Sequence, residues 1–159
     1  MPNAVERHTQ RLQLACAAFL ASLAAYAGVV AAFGGPVRPI LPQGGPLLWG
    51  FAFLAAVNLV TIMPVYRVML AGARRVFAVS HQEGRLLAAH FAAHLIAFAR
   101  LEAVSLLGVA LYVLTGRRDW FAVFTAVAAV GMLVLWPRYA KAAALLTPAS
   151  TSFATTAPR

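Results

Sequence analysis

AAHFAAHLIAFARLEAVSLLGVALYVLTG, residues 88–116, sets His90, His94, Arg100 and Glu102 inside a run otherwise as apolar as a lipid tail. Roughly 20 apolar residues in helical form cross the hydrocarbon of a bilayer. This stretch exceeds that length and contains no proline to stop it. A spanning helix is predicted over 90–114, with its first turns, from about His81, standing outside the apolar layer.

The rest of the chain follows the same pattern. Of its 159 residues 62% are hydrophobic and 11% charged, and the mean hydropathy is +0.80, whereas a soluble domain is roughly 45–50% apolar and about 25% charged. A core of this size in water cannot hide so much apolar side chain, so lipid is expected to cover part of it. Leu12 to Phe33, preceded by Arg7 and Arg11, is longer than the roughly 7–15 residues of a secretory signal core and is predicted to span. Along it Ala17, Ala21 and Ala25, and on another side Ala24, Gly28 and Ala32, recur every four positions. Small residues let helix backbones approach closely in lipid, which predicts that this helix packs through them.

GGPVRPILPQGGP, residues 34–46, holds four glycines and four prolines. No continuous helix survives that composition, and it is read as an external loop. A second span is predicted over 47–66, with Trp49 at an interface, Asn58 and Thr61 inside, and Pro64 kinking its far end. Asn58 is expected to hydrogen-bond to a neighbouring helix. Residues 67–89 form a basic connector, either a helical hairpin or an interfacial amphipathic helix, in which Ser80 and Glu83 have the spacing of a capping box for the third helix. TGRRD, residues 115–119, makes a tight connection, with Asp119 placed to cap a fourth helix. That helix is predicted over 120–136, bounded by Trp120 and Trp136 as two aromatic belts. Pro137 ends it, and residues 137–159 are expected to be a disordered tail.

These segments predict an all-α polytopic membrane protein, four transmembrane helices in an up-down bundle, with residues 1–11 as an N-terminal tail. The flanks that share a side with the termini hold about nine Lys and Arg, against about three in the other two loops, so the positive-inside rule places both termini in the cytoplasm. High Ala and Arg usage suits a GC-rich bacterium and hence its cytoplasmic (inner) membrane. The net charge is +9, but the cations lie in short segments between apolar runs without interleaved aromatics. They read as topology determinants and contacts to anionic lipid head groups, chiefly at the basic connector, and not as a nucleic-acid surface. Cys16 is the sole cysteine, which excludes an internal disulfide and a thiolate cluster.

The candidate functional residues are the polar groups placed in hydrocarbon: Glu102, Arg100, Asn58, His94 and His90. At 100° per residue His90, His94, Glu102 and Ser105 fall within an arc about 120° wide, with Gly108 on the same side, while Arg100 lies about 160° from Glu102. Arg100 and Glu102 therefore cannot pair within one helix. Ionised groups are costly at the bilayer centre, which leaves two readings of Glu102: a neutral, proton-carrying carboxyl, or an anchor bonded to Asn58 or to a packed helix. His90 and His94 have the i, i+4 spacing of two ligands on one helical face, but His8 and His81 lie outside the predicted spans, so no metal or cofactor is expected. No phosphate loop, nucleophile elbow or carboxylate pair is present, and no enzymatic activity is expected. The partners expected are lipids and a homo-oligomer or another membrane protein.

FARLEAVSLLGVALYVLTGRRDWFAV resembles helices 3 and 4 of small bacterial four-helix integral membrane proteins, in which a Glu precedes Leu-Leu-Gly and a short Thr-Gly hairpin. The resemblance implies the topology and no particular activity. A membrane-embedded Glu before a Gly-bearing apolar run is also faintly similar to rotary ATP synthase subunit c, where Glu102 alone would match the proton carrier. The first helix lacks that family's dense glycines, and SHQEGR lacks its Arg-Gln-Pro loop. Two functional expectations follow: a non-enzymatic packing or accessory component, or a proton- or ion-coupled component using Glu102.

Overall fold

A computed structural model describes residues 3–33, 40 and 45–146. It is helical throughout, with α1 over Ala4–Phe33, α2 over Gly45–Ser80, α3 over Glu83–Thr115, α4 over Arg118–Val134 and α5 over Tyr139–Leu146. Three of these, α1, α2 and α3, are long and apolar enough to cross a membrane. α4 has 17 residues, about 25 Å at 1.5 Å per residue.

The ends of the helices account for most differences from the sequence reading. α1 begins at Ala4 because Asn3 and Glu6 cap it reciprocally: the Asn3 N–H donates to Glu6 Oε2 at 2.8 Å, and the Glu6 N–H donates to Asn3 Oδ1 at 2.8 Å. This is a capping box, and it turns most of the expected tail into helix. α2 runs through Pro64 to Ser80, so the first part of the basic connector is a continuation of α2. Ser80 does not cap α3. Its Oγ donates back to the Val76 carbonyl at 2.9 Å, since the chain reverses one residue later, at His81, whose φ is 52°. Gln82 occupies the α3 cap position without a side-chain bond.

α3 ends where Gly116 takes a left-handed conformation, φ 73°, and its N–H returns to the Tyr112 carbonyl at 2.7 Å. Such a turn suits glycine, which has no Cβ to clash. Asp119 does not cap α4 either, because Arg117 holds the cap position and Asp119 is already helical. Asp119 instead pairs with the Arg117 guanidinium, which lies 5.6 Å over the Trp120 ring. α4 stops at Val134, ahead of Pro137, and leaves Trp136 beyond its end. Part of the expected disordered tail is the helix α5; residues 147–159 and nearly all of the expected external loop lie outside the described residues.

α3 is the central helix. In its most apolar stretch 44% of residues are buried, against 17% for α1 and 11% for α2. His8 meets His90, Ser22 meets Glu102 and Val30 packs with Tyr112, so α1 and α3 run in the same direction. Tyr66 with His94, Thr61 with Arg100 and Ala55 with Val104 make α2 antiparallel to α3. Cys16, Leu23, Ile62, Phe98, Leu101, Ala128 and Met132 form one core drawn from all four long helices. α5 folds back on the start of α1, where Asn3 Nδ2 donates to the Tyr139 hydroxyl at 3.4 Å.

α1 meets the bundle through Leu12, Cys16, Leu23 and Val30, all buried. The small-residue rows, Ala17, Ala21, Ala25 and Ala24, Gly28, Ala32, point outward, so the helix packs but not through the residues expected. The physical reason is depth: the larger side chains reach α3 and α4 and exclude more apolar area than a row of methyl groups can. The outer surface is as apolar as the interior, with Trp49 76%, Val60 72% and Phe53 68% exposed. Close approach falls to Gly108 on α3, where an added Cβ would sit 2.8 Å from Phe124 Cβ and 3.4 Å from the Phe121 backbone.

Two predictions come from this packing. Gly108→Ala is expected to separate α3 from α4 and lower the unfolding midpoint in detergent by the equivalent of about 1–3 kcal/mol; an unchanged midpoint would contradict the close contact. The hydrogen bond from Arg117 holds the Asp119 carboxyl below the usual carboxylate range, so any stabilisation it gives is present at neutral pH and fades as pH falls through that lowered value. Because the pair is exposed and screened, Asp119→Asn is expected to leave the midpoint at physiological ionic strength unmoved.

Candidate functional site

Polar side chains inside an apolar bundle must find partners or leave costly unsatisfied groups. α3 makes polar contacts to every long neighbour, although its Tyr112 hydroxyl is buried with no hydrogen-bond partner among the described residues. Towards α1, Glu102 Oε1 accepts from Ser22 Oγ at 2.6 Å and from the Tyr26 hydroxyl at 2.8 Å. Towards α2, Arg100 Nη1 donates to Thr61 Oγ1. Towards α4, Ser105 Oγ and Thr125 Oγ1 share a bond of 2.9 Å.

The opposed placement of Arg100 and Glu102 on α3 is what sends them to different helices. Thr61 can serve Arg100 because its own hydroxyl proton goes to the Val57 carbonyl at 2.6 Å, leaving oxygen lone pairs for the guanidinium. Asn58 does not join either contact. Its Nδ2 donates to the Leu54 carbonyl of its own helix at 3.0 Å, a local bond that a short polar side chain makes without crossing to a neighbour. The expected Asn58 bridge, to Glu102 or to another helix, is therefore replaced by Ser22 and Tyr26.

Below these contacts lies a cluster of buried imidazoles. His90 is 3% and His94 6% exposed, and the His94 Nδ1–H donates to the His90 carbonyl at 3.1 Å. His8, 9% exposed, joins them from α1, its Nε2 lying 2.9 Å from His90 Nδ1. One of these two nitrogens must donate and the other accept, so the contact requires at least one neutral ring. Tyr66 of α2 closes the cluster edge-on, 5.1 Å from the His94 ring centroid. A cavity of about 150 Å³ opens beside it, lined by Met63, Tyr66, His90, His94, Trp136 and Arg138. Among the described residues no group of three or more His, Cys, Asp or Glu is arranged to hold a metal ion.

His8 is the functional-site residue that the sequence reading passed over, together with Ser22, Tyr26 and Thr125 as partners. The signal for His8 was present. The Asn3 to Glu6 capping box starts α1 early enough to place His8 four residues before Leu12 and eight before Cys16, on one helical face.

The interhelical and local bonds of α2 behave differently on mutation. Thr61→Val removes the acceptor of Arg100 and is expected to cost about 0.5–1.5 kcal/mol in reversible unfolding, within the span measured for hydrogen bonds between membrane helices. Asn58→Ala, which loses only a bond within α2, should cost clearly less. Equal losses would mean that the Arg100 contact contributes nothing particular.

In comparisons with protein-family models, curated proteins and solved structures, the chain matches no family model, no curated protein and no solved structure.

Proposed function

We propose that this chain is a multi-pass protein of the bacterial cytoplasmic membrane, with four spans and both termini in the cytoplasm, that acts without enzymatic chemistry as a packing or accessory component. Its partners are anionic lipid head groups along the basic connector and another membrane protein or a second copy of itself. In this reading α4, extended by Leu135 and Trp136, completes the fourth crossing. The apolar outer faces of α1 and α2 meet lipid or a partner.

One observation carries the choice between the two functional readings of Glu102. A single carboxylate oxygen receives both the Ser22 and the Tyr26 hydroxyl, and it sits within a set of contacts, with Thr61 to Arg100 and Ser105 to Thr125, that ties each long helix to α3. That pattern supports an anchoring role. A carrier carboxyl must exchange its proton with water or with a moving partner, and a group bonded twice to one neighbouring helix is suited to holding that helix.

Glu102→Gln keeps an oxygen that accepts both hydroxyls, and is expected to preserve the fold and any complex. Glu102→Leu removes the acceptor and should cost about 1–2 kcal/mol. In sealed vesicles containing the purified protein, an imposed pH gradient should decay at the same rate with and without carbodiimide treatment. Carbodiimide-sensitive proton movement, abolished by Glu102→Gln, would overturn the anchoring role and establish the ion-coupled alternative.

A further inference from the structure

Arg100 is the one arginine within the predicted span 90–114. It lies roughly 25 Å from the start of α3 and roughly 22 Å from its end at 1.5 Å per residue, near the middle of a hydrocarbon layer about 30 Å thick. A histidine or a carboxyl at that depth can turn neutral, whereas a guanidinium keeps its charge. Its hydrogen-bond partner among the described residues is the Thr61 hydroxyl, an uncharged oxygen. Charged groups inside a bilayer are costly and are characteristically paired with one another or with backbone carbonyls.

The chain has no side-chain carboxylate to give it. Of the four acidic residues, Glu6 is bonded into the α1 cap, Asp119 is paired with Arg117, and Glu83 is exposed at the start of α3. Glu102, on the opposed side of α3, receives Ser22 and Tyr26 of α1. Thr61 accepts from Nη1 alone, so Nε and Nη2 keep N–H groups in the planar fork that matches a carboxylate. Arg100 is half-buried and not sealed inside the bundle. One turn before it on α3, Ile96 is 39% exposed, and one turn before Thr61 on α2, Val57 is 42% exposed. The guanidinium therefore opens sideways through an apolar rim. Lipid phosphates lie about half the hydrocarbon thickness away, beyond the reach of an arginine stem, and a soluble anion would have to leave water to arrive.

We propose that Arg100, positioned by Thr61, is the docking point for a transmembrane helix of a partner protein that carries one Asp or Glu at the middle of its span. The carboxylate accepts from the remaining guanidinium N–H groups, and Ile96 and Val57 meet the apolar side chains around it. This names the partner class for the accessory role above and rests on the membrane reading. A second copy of the chain fits less well, because its carboxylate at this depth, Glu102, already holds α1.

Energy transfer in phosphatidylcholine vesicles tests this, between the full chain labelled at its C terminus and synthetic leucine-alanine transmembrane peptides carrying Asp, Asn or Leu at the centre. The wild type should associate with the Asp peptide about tenfold more tightly than with the Leu peptide, the scale of a polar contact between membrane helices, and the Asn peptide should stay close to Leu. Arg100→Gln should bring the Asp peptide down to the Leu level, with helical circular dichroism verifying that the variant folds. Arg100→Lys, which keeps the charge without the fork, should retain part of the preference. The three peptides compared on the unaltered chain decide the matter independently of any variant. Equal association of the Asp and Leu peptides with the wild type would overturn the docking point, and equal association of Asp and Asn would overturn the carboxylate; either result leaves the membrane reading in place. An Asp preference that survives in Arg100→Gln would overturn the assignment to Arg100. Self-association of the wild type that Arg100→Gln abolishes would give the site to a second copy and overturn the partner helix. Recovery of the chain as a monodisperse species in detergent-free buffer would remove the membrane reading and the docking point with it.

Discussion

The fold depends on the polar contacts that Glu102, Arg100 and Ser105 of α3 make with the neighbouring helices. Apolar packing gives little direction when the surroundings of a helix are as apolar as its partners, so the few directional bonds select which helix lies where. Glu102 fixes α1, Arg100 fixes α2 and Ser105 fixes α4. Each bond is modest. Together they choose one arrangement from several that would bury similar area, and the Gly108 contact with Phe124 and Phe121 then sets how closely α4 can approach.

The imidazole cluster belongs to the same scheme at the other end of the bundle. His8, His90 and His94 are buried beside Tyr66, so α1, α2 and α3 converge there on groups that are polar yet able to remain uncharged. Imidazole suits that position because a neutral ring both donates and accepts. A cavity lined by His90 and His94 opens beside the cluster.

Much of this was legible in the sequence, in proportion to how local each cause is. The apolar runs located the long helices, and the 100° step per residue sent Arg100 and Glu102 to opposite sides of α3. Partners were not legible, because they depend on the order of helices around the bundle: nothing local tells Glu102 that Ser22, and not Asn58, will stand opposite. The caps were misread where a short motif is degenerate. Ser80 and Glu83 have the right spacing but straddle the reversal at His81, whereas Asn3 and Glu6, which do cap, precede no obvious apolar run. The small-residue rows of α1 misled for a compositional reason, since an alanine-rich helix shows that spacing on every side.

The parallel alignment of α1 with α3 has a consequence for the order of synthesis. Ser22 leaves the ribosome 80 residues before its partner Glu102, and His8 leaves 82 before His90. During that interval the first helix must persist without the helix it will lean on. Ser22 is equipped for the wait, since its hydroxyl reaches the Phe19 carbonyl of the same helix at 2.7 Å. Thr61 likewise donates to the Val57 carbonyl, a bond it keeps when its oxygen accepts from Arg100. The early helices carry hydroxyls that can satisfy themselves, while Arg100 and Glu102 are delivered late, by the helix that meets their partners.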